Sequence, residues 1–82
     1  MIKVPVNFEQ TDEVLDFVRL VNQYPFQMDL VSGRHAVDAK SLMGTLAISK
    51  ADGLSLMIHT TPSQSTEKLL MEMDSFRQPS IN

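Results

Sequence analysis

The spacing of apolar residues changes from a period of two to a helical period early in the chain. Residues 2–8 alternate apolar and polar side chains, which predicts a half-buried strand, and Pro5 favours an edge position for it. Over residues 11–24 the apolar side chains follow helical spacing, and Pro25 ends the predicted helix. The side chains expected to face the core from this helix are Val14, Phe17, Val18, Val21 and Tyr24.

The rest of the chain continues with short elements of both kinds. We predict strands at 27–31 and 36–39, a helix at 41–48, a strand at 54–60 and a helix at 63–76. The segment Ser-Gly-Arg-His at 32–35 is typical of a turn, so the first two of these strands should form a hairpin. The residues expected to be buried in the last strand and helix are Leu56, Ile58, Leu69, Leu70, Met73 and Phe76.

This order of elements, β-α-β-β-α-β-α, predicts the fold class. A chain of this kind buries its apolar faces by laying helices on one side of an antiparallel sheet. We therefore expect an α+β open-faced sandwich with a four-stranded antiparallel sheet and three helices on one face. Residues 1–82 should form a single domain, with a frayed tail at 78–82.

Composition narrows the classes of function. The chain has no cysteine, which excludes disulfides and thiolate metal sites, and its net charge of −3 argues against nucleic acid as a partner. No apolar run approaches the roughly 20 residues of a membrane span. The N-terminus has no apolar region of signal-peptide length. We therefore expect a cytoplasmic protein with neither a nucleic-acid nor a membrane partner.

The two histidines are the first residues to consider for chemistry. His35 falls in the predicted hairpin turn, and His59 falls at a polar position of the last strand. Neither follows the first strand at the start of a helix. No cysteine or clustered carboxylate accompanies them, so we interpret both as solvated surface side chains and expect no metal site.

The segment Lys-Ser-Leu-Met-Gly at 40–44 is the most informative stretch of the chain. Ser41 stands where it can cap the helix that follows. The segment resembles HPr, the phosphocarrier of the bacterial sugar phosphotransferase system, in its Gram-positive form. The order of elements is also that of HPr. The resemblance implies that Ser41 is a site of regulatory phosphorylation. It also implies that Leu42, Met43 and Leu46 contribute to a surface that docks partner proteins.

The same resemblance shows where phosphocarrier chemistry is missing. HPr carries a phosphoryl group on a histidine at the start of its first helix, followed two residues later by Arg-Pro. Counted back from Ser41 without gaps, the histidine position is Gln10, and the Arg-Pro positions are Asp12 and Glu13. Gln10 cannot form a phosphoramidate, and the two carboxylates repel phosphate. Ser49 stands where the family commonly has a glycine in the loop after the second helix.

Three functions are compatible with these observations. The leading hypothesis is an HPr-like protein without enzyme activity or cofactor that has lost histidine phosphoryl transfer. It would act by binding proteins, among them HPr kinase or components of the phosphotransferase system, with regulation at Ser41. The first alternative is a genuine phosphocarrier with an atypical site at His35 or His59. The second alternative is a stand-alone interaction domain that keeps only the fold.

Overall fold

The computed structural model describes residues 1–77, so the predicted fraying of 78–82 lies outside the described part. Four strands and three α-helices follow the predicted order, and a short 3₁₀ helix, Asp74–Phe76, ends the described chain. The elements are β1 (Ile2–Pro5), α1 (Thr11–Val21), β2 (Met28–Ser32), β3 (His35–Asp38), α2 (Leu42–Ile48), β4 (Ser55–Ile58) and α3 (Gln64–Glu72).

The strands form one sheet in the order β1-β4-β2-β3, and every neighbouring pair is antiparallel. Leu56 of the inner strand β4 lies opposite Val4 on one side and Leu30 on the other. All three side chains are buried. Pro5 belongs to the edge strand β1, as its missing amide hydrogen requires. The predicted α+β fold with a four-stranded antiparallel sheet is confirmed.

The core fills the space between the inner face of the sheet and the apolar stripes of the helices. Three aromatic rings lie at its centre. Phe8 and Phe17 have ring centroids 5.1 Å apart in an edge-on arrangement, and Phe76 lies 5.8 Å from Phe17. The residues predicted to be inside are buried in the structure, apart from Leu70, which is half-buried: Val14, Phe17, Val18, Val21, Tyr24, Leu56, Ile58, Leu69, Met73 and Phe76.

The hairpin between β2 and β3 is tighter than the sequence predicted. Ser32 pairs with His35, which leaves Gly33 and Arg34 as the loop. Gly33 has φ +58°, a conformation that glycine adopts without steric cost, as at the first loop position of a type II′ turn. His35 is therefore the first residue of β3 and not a turn residue. Its side chain is exposed.

Helix α1 ends at Val21, three residues earlier than the position of Pro25 suggested. Asn22 terminates it because its side-chain amide donates to the Val18 carbonyl at 2.8 Å and to the Lys40 carbonyl at 3.0 Å. The next two amides, of residues 23 and 24, bond three residues back instead of four, as in a 3₁₀ turn. A long-range contact to Lys40 thus helps set the end of this helix.

The predicted helix at 63–76 is divided into α3 and the 3₁₀ helix. Ser63 caps α3, since its hydroxyl accepts from the Thr66 amide at 3.3 Å. At Met73 the backbone leaves the helical region, with φ −95° and ψ 13°. The change of direction carries Phe76 into the core, where its carbonyl accepts from the Asn7 amide at 2.7 Å.

Tyr24 connects the segment after α1 to α3. Its ring is buried and stacks near Phe26, and its hydroxyl donates to the Glu72 carboxylate. Burial, followed by the hydrogen bond to Glu72 and that carboxylate's charge, raises the pKa of Tyr24 from 10.0 to about 12. The protonated phenol is the form that the fold stabilises.

Replacing a core leucine should cost a large share of the free energy of unfolding. Leu69 is fully buried, so Leu69→Ala should destabilise the protein by about 2–5 kcal/mol in urea unfolding. Leu15 of α1 is 38% exposed, and Leu15→Ala serves as the matched control with a much smaller cost. Equal losses for the two variants would contradict the buried position of Leu69.

Tyr24 can be titrated alone, because it is the single tyrosine in a chain without tryptophan. We expect the phenolate absorbance of the folded protein to have its midpoint at about 12, and Glu72→Gln to lower it. The folded pKa exceeds the unfolded one, so this group's stabilisation is complete below pH 10 and is lost as the pH rises through 12. A midpoint near 10 in the native protein would contradict both the burial of the phenol and its contact with Glu72.

Candidate functional site

The start of α1 is occupied by the protein's own carboxylates. Gln10 is the residue before the helix and has an extended backbone, with φ −132° and ψ 155°. The side chain of Glu13 turns back, and its Oε2 accepts from the Gln10 amide at 3.1 Å. Asp12 lies in the same first turn and is exposed. The positive end of this helix is therefore stabilised from within the chain.

This arrangement opposes an incoming phosphoryl group. A phosphate at the helix start would find the Gln10 amide already bound by Glu13, and it would face two carboxylates. Like charges about 4 Å apart near a protein surface repel each other by about 4 kcal/mol, and salt reduces that value. The geometry suits a capped helix better than an anion site.

The loop after α2 lies against the start of α1. Lys50 donates from its Nζ to the Glu9 carbonyl at 3.1 Å, which joins two segments far apart in the sequence. Ser49 before it has a helical backbone, with φ −61° and ψ −23°, and is buried. Its hydroxyl donates to the Leu46 carbonyl at 3.1 Å. A glycine is not needed for this backbone, because no positive φ is required.

Ser41 caps α2, as predicted. Its Oγ accepts from the Gly44 amide at 3.1 Å, and the serine is half-buried. A Cβ atom at Gly44 would lie only 3.2 Å from the Cβ of Val37, so glycine allows α2 to approach β3 closely. Thr45 is buried, and its hydroxyl donates to the Ala39 carbonyl at 3.2 Å. The helix that Ser41 caps is therefore packed closely against β3 and the segment that follows it.

The three apolar residues that follow Ser41 have different surroundings. Leu42 is half-buried and packs against the core. Met43 is 78% exposed and Leu46 is 37% exposed, so α2 presents apolar side chains to solvent. Leu15 on the neighbouring α1 is exposed to a similar degree. Met43 and Leu46 are three residues apart on α2 and therefore neighbours on its surface. We call these two residues the apolar patch.

His59 has a carboxylate partner that the sequence analysis did not expect. Its Nε2 lies 2.8 Å from Oδ2 of Asp29. The pairing of β2 with β4 places Asp29 opposite Met57, and therefore diagonal to His59 on the same face of the sheet. Within residues 1–77, no group of three or more histidine or carboxylate side chains could hold a metal ion.

Solved structures of phosphocarrier proteins share this fold. HPr from Bacillus anthracis strain Ames aligns with a TM-score of 0.68 and 20% identity over 94% of both chains. HPr-C-His from Thermoanaerobacter tengcongensis aligns with 0.67 and 19%, covering 89% of this chain and 90% of that one. The histidine-containing phosphocarrier protein of Mycoplasma aligns with 0.62 and 9%, covering 95% and 98%. No protein-family model and no curated protein matches the chain.

These alignments establish an HPr-like fold. At identities of 20% and below, they show the architecture alone. No helix of residues 1–77 is long and apolar enough to cross a membrane.

The sequence did not predict the contacts that two lysines near the site make. Lys50 reaches Glu9, and Lys40 donates from its Nζ to the Tyr24 carbonyl at 2.5 Å. No local sequence pattern predicts either contact, since the partners are 41 and 16 residues away. The contact between Asp29 and His59 was not predicted for the same reason, because it depends on the register of two strands that are far apart in the sequence.

Proposed function

We propose that this protein is an HPr-like binding protein of the bacterial cytoplasm that has lost histidine phosphoryl transfer. It acts through protein partners of the phosphotransferase system or its control, and phosphorylation of Ser41 regulates it. The observation that supports the loss of transfer is the Glu13 carboxylate on the Gln10 amide, at the position that the resemblance assigns to the phosphoryl group. Gln10 itself offers no nitrogen that can accept phosphate.

The binding role rests on the apolar patch. Large apolar side chains exposed one turn apart on a helix offer a surface suited to protein contact. Methionine is unbranched and polarisable, so Met43 can adapt to an apolar partner. Together with Leu46 it extends the surface next to Ser41, and the half-buried Leu42 supports it. Components of the phosphotransferase system and HPr kinase are the proposed partners.

The resemblance of residues 40–44 to HPr supports regulation at Ser41, and the position of its hydroxyl at a helix start is compatible with phosphorylation. A serine kinase transfers a phosphoryl group from a nucleoside triphosphate to the hydroxyl, while the hydroxyl proton passes to a base of the kinase and the diphosphate leaves. The product carries about −1.5 to −2 charge at pH 7 beside the apolar patch. Ser41 remains at the helix start, so the modification changes the partner surface more than the fold.

One alternative has an observation in its favour. Asp29 could orient His59 in the way that a carboxylate orients a catalytic histidine, which would make His59 an atypical phosphoryl acceptor. However, the adjacent Asp29 and the opposed Asp38 on β3 give this face of the sheet a negative character that repels phosphate. No comparable contact favours His35. A stand-alone interaction domain that keeps only the fold remains the other alternative.

The loss of transfer is tested with enzyme I, the donor kinase of the phosphotransferase system. After incubation with enzyme I and phosphoenolpyruvate, we expect the intact mass of the protein to be unchanged, because no histidine stands at position 10. HPr phosphorylated in the same tube is the positive control. Stoichiometric acid-labile phosphate on the wild type, abolished by His59→Gln, would establish the alternative.

Introducing the family's histidine motif into this chain, which we call a graft, also tests the loss of phosphoryl transfer. The combined changes Gln10→His, Asp12→Arg and Glu13→Pro should restore measurable transfer, because they supply the acceptor and remove both carboxylates. A second graft that adds Ser49→Gly examines the loop after α2. Grafts that fold but accept no phosphate would show that features beyond this helix start have diverged.

Regulation at Ser41 is tested with an HPr serine kinase and two substitutions. Wild type should be labelled, and Ser41→Ala should not be labelled and should lose about 0.5–2 kcal/mol of stability with its cap. Ser41→Asp keeps a cap and part of the charge, so it should retain stability while binding of phosphotransferase-system proteins changes. Ser63→Ala, at the start of α3, is the matched control for capping alone.

Two results together would contradict the regulatory role. They are an unlabelled wild type and identical partner binding by wild type and Ser41→Asp. Ser41 would then be a helix cap only, and the fold would serve a function without regulation at this residue.

A further inference from the structure

The lysine before Ser41 holds a positive charge that no carboxylate neutralises. Nζ of Lys40 donates to the backbone carbonyl of Tyr24 at 2.5 Å. Among residues 1–77 the one ion pair within 4.0 Å joins His59 and Asp29, so Lys40 has no anionic partner there. Lys40 is half-buried, its ammonium is bound to a neutral acceptor, and the residue directly precedes the serine that we propose is phosphorylated.

The backbone of Lys40 is held from both sides. Its amide donates to Oδ1 of Asp38 at 2.9 Å, and its carbonyl accepts from the Asn22 side chain at 3.0 Å. The amide of Ser41 also bonds to the Asp38 carbonyl at 3.0 Å. Because these contacts fix the main chain, the side chain of Lys40 is the part of this loop that can take a second position.

We propose that Lys40 is a two-position switch. It braces the Tyr24 carbonyl when Ser41 is unmodified, and it pairs with the phosphate when Ser41 is phosphorylated. This inference rests on the proposed regulation at Ser41 and adds the residue that would transmit it. Lys40 is a positioning residue, since its effect on partners passes through Tyr24.

The direction of the switch follows from the strength of the two contacts. A hydrogen bond between an ammonium and a phosphate is charge-assisted on both sides, and it is stronger than one to a neutral carbonyl. Adjacent Cα atoms are about 3.8 Å apart, and the lysine side chain is longer than that distance, so a Lys40 side chain that rotates toward Ser41 is long enough to meet the phosphate. A dianion on Ser41 therefore draws the ammonium away from Tyr24.

Release of the Tyr24 carbonyl loosens the segment after α1. The amides of Gln23 and Tyr24 make single 3₁₀-type bonds, of 3.0 and 3.2 Å, to the carbonyls of Leu20 and Val21. The Tyr24 hydroxyl reaches Glu72 on α3. The phosphate would thus make the segment after α1 less ordered and weaken its contact with α3. Both regions are separate in sequence from the apolar patch.

The experiment uses protein with phosphoserine incorporated at position 41 during synthesis, so that no kinase is required. In nuclear magnetic resonance spectra the carbonyl carbon signal of Tyr24 should move. Hydrogen exchange of the Gln23 and Tyr24 amides should become roughly 10-fold faster, the loss expected for one charge-assisted hydrogen bond. Phosphoserine at position 63 is the matched control, because Ser63 also caps a helix but follows Pro62 and not a lysine. It should leave Tyr24 unchanged.

Two substitutions of Lys40 isolate the charge. Lys40→Gln keeps a donor for the Tyr24 carbonyl but has no charge, so phosphoserine at 41 should no longer alter the exchange of Tyr24. Lys40→Met should show fast exchange with and without the phosphate. Circular dichroism verifies folding, and Lys40→Gln decides the question if Lys40→Met does not fold.

An unchanged Tyr24 signal in the phosphorylated wild type would overturn the switch. The same response in Lys40→Gln as in the wild type would overturn it equally. Either result leaves kinase labelling and partner binding to be judged by their own experiments. Conversely, a protein that no kinase labels can still show the response of Lys40, so the two proposals fail separately.

Discussion

The structure depends on the insertion of β4 between β1 and β2. This inner strand pairs with both neighbours, and its Leu56 and Ile58 form the centre of the surface that the helices cover. Because β4 comes late in the chain, the first strand can be held only after most of the sequence has been placed. The same pairing brings the loop after α2 against the start of α1, where Lys50 meets Glu9.

Two helix starts in this protein satisfy the same physical requirement with different chemistry. Each presents unpaired amides, and each finds an acceptor within the chain. At α1 the acceptor is the Glu13 carboxylate, which carries its own charge and excludes a second anion. At α2 it is the neutral hydroxyl of Ser41, which brings no charge to the helix start. The contrast explains why one family site is lost in our proposal while the other is retained.

The loop that holds Ser41 is also a junction between distant elements. Asn22 and Tyr24 at the end of α1 both bond to Lys40, and Tyr24 in turn bonds to Glu72 on α3. These contacts give a serine on a short helix a physical connection to two longer helices. In our proposal, a change of charge at that serine acts first on this network of polar bonds.

The sequence by itself determined the order of the elements, the buried stripes and the cap at Ser41, because periodicity and capping are local properties that neighbouring residues decide. The assignment of Gln10, Asp12 and Glu13 to the phosphocarrier positions came from the resemblance to HPr and stays a prediction. Only the tertiary structure decided where α1 ends, how Lys40 is used and which carboxylate His59 meets. Those outcomes depend on side chains 16 to 30 residues apart, which are brought together by strand register and helix packing.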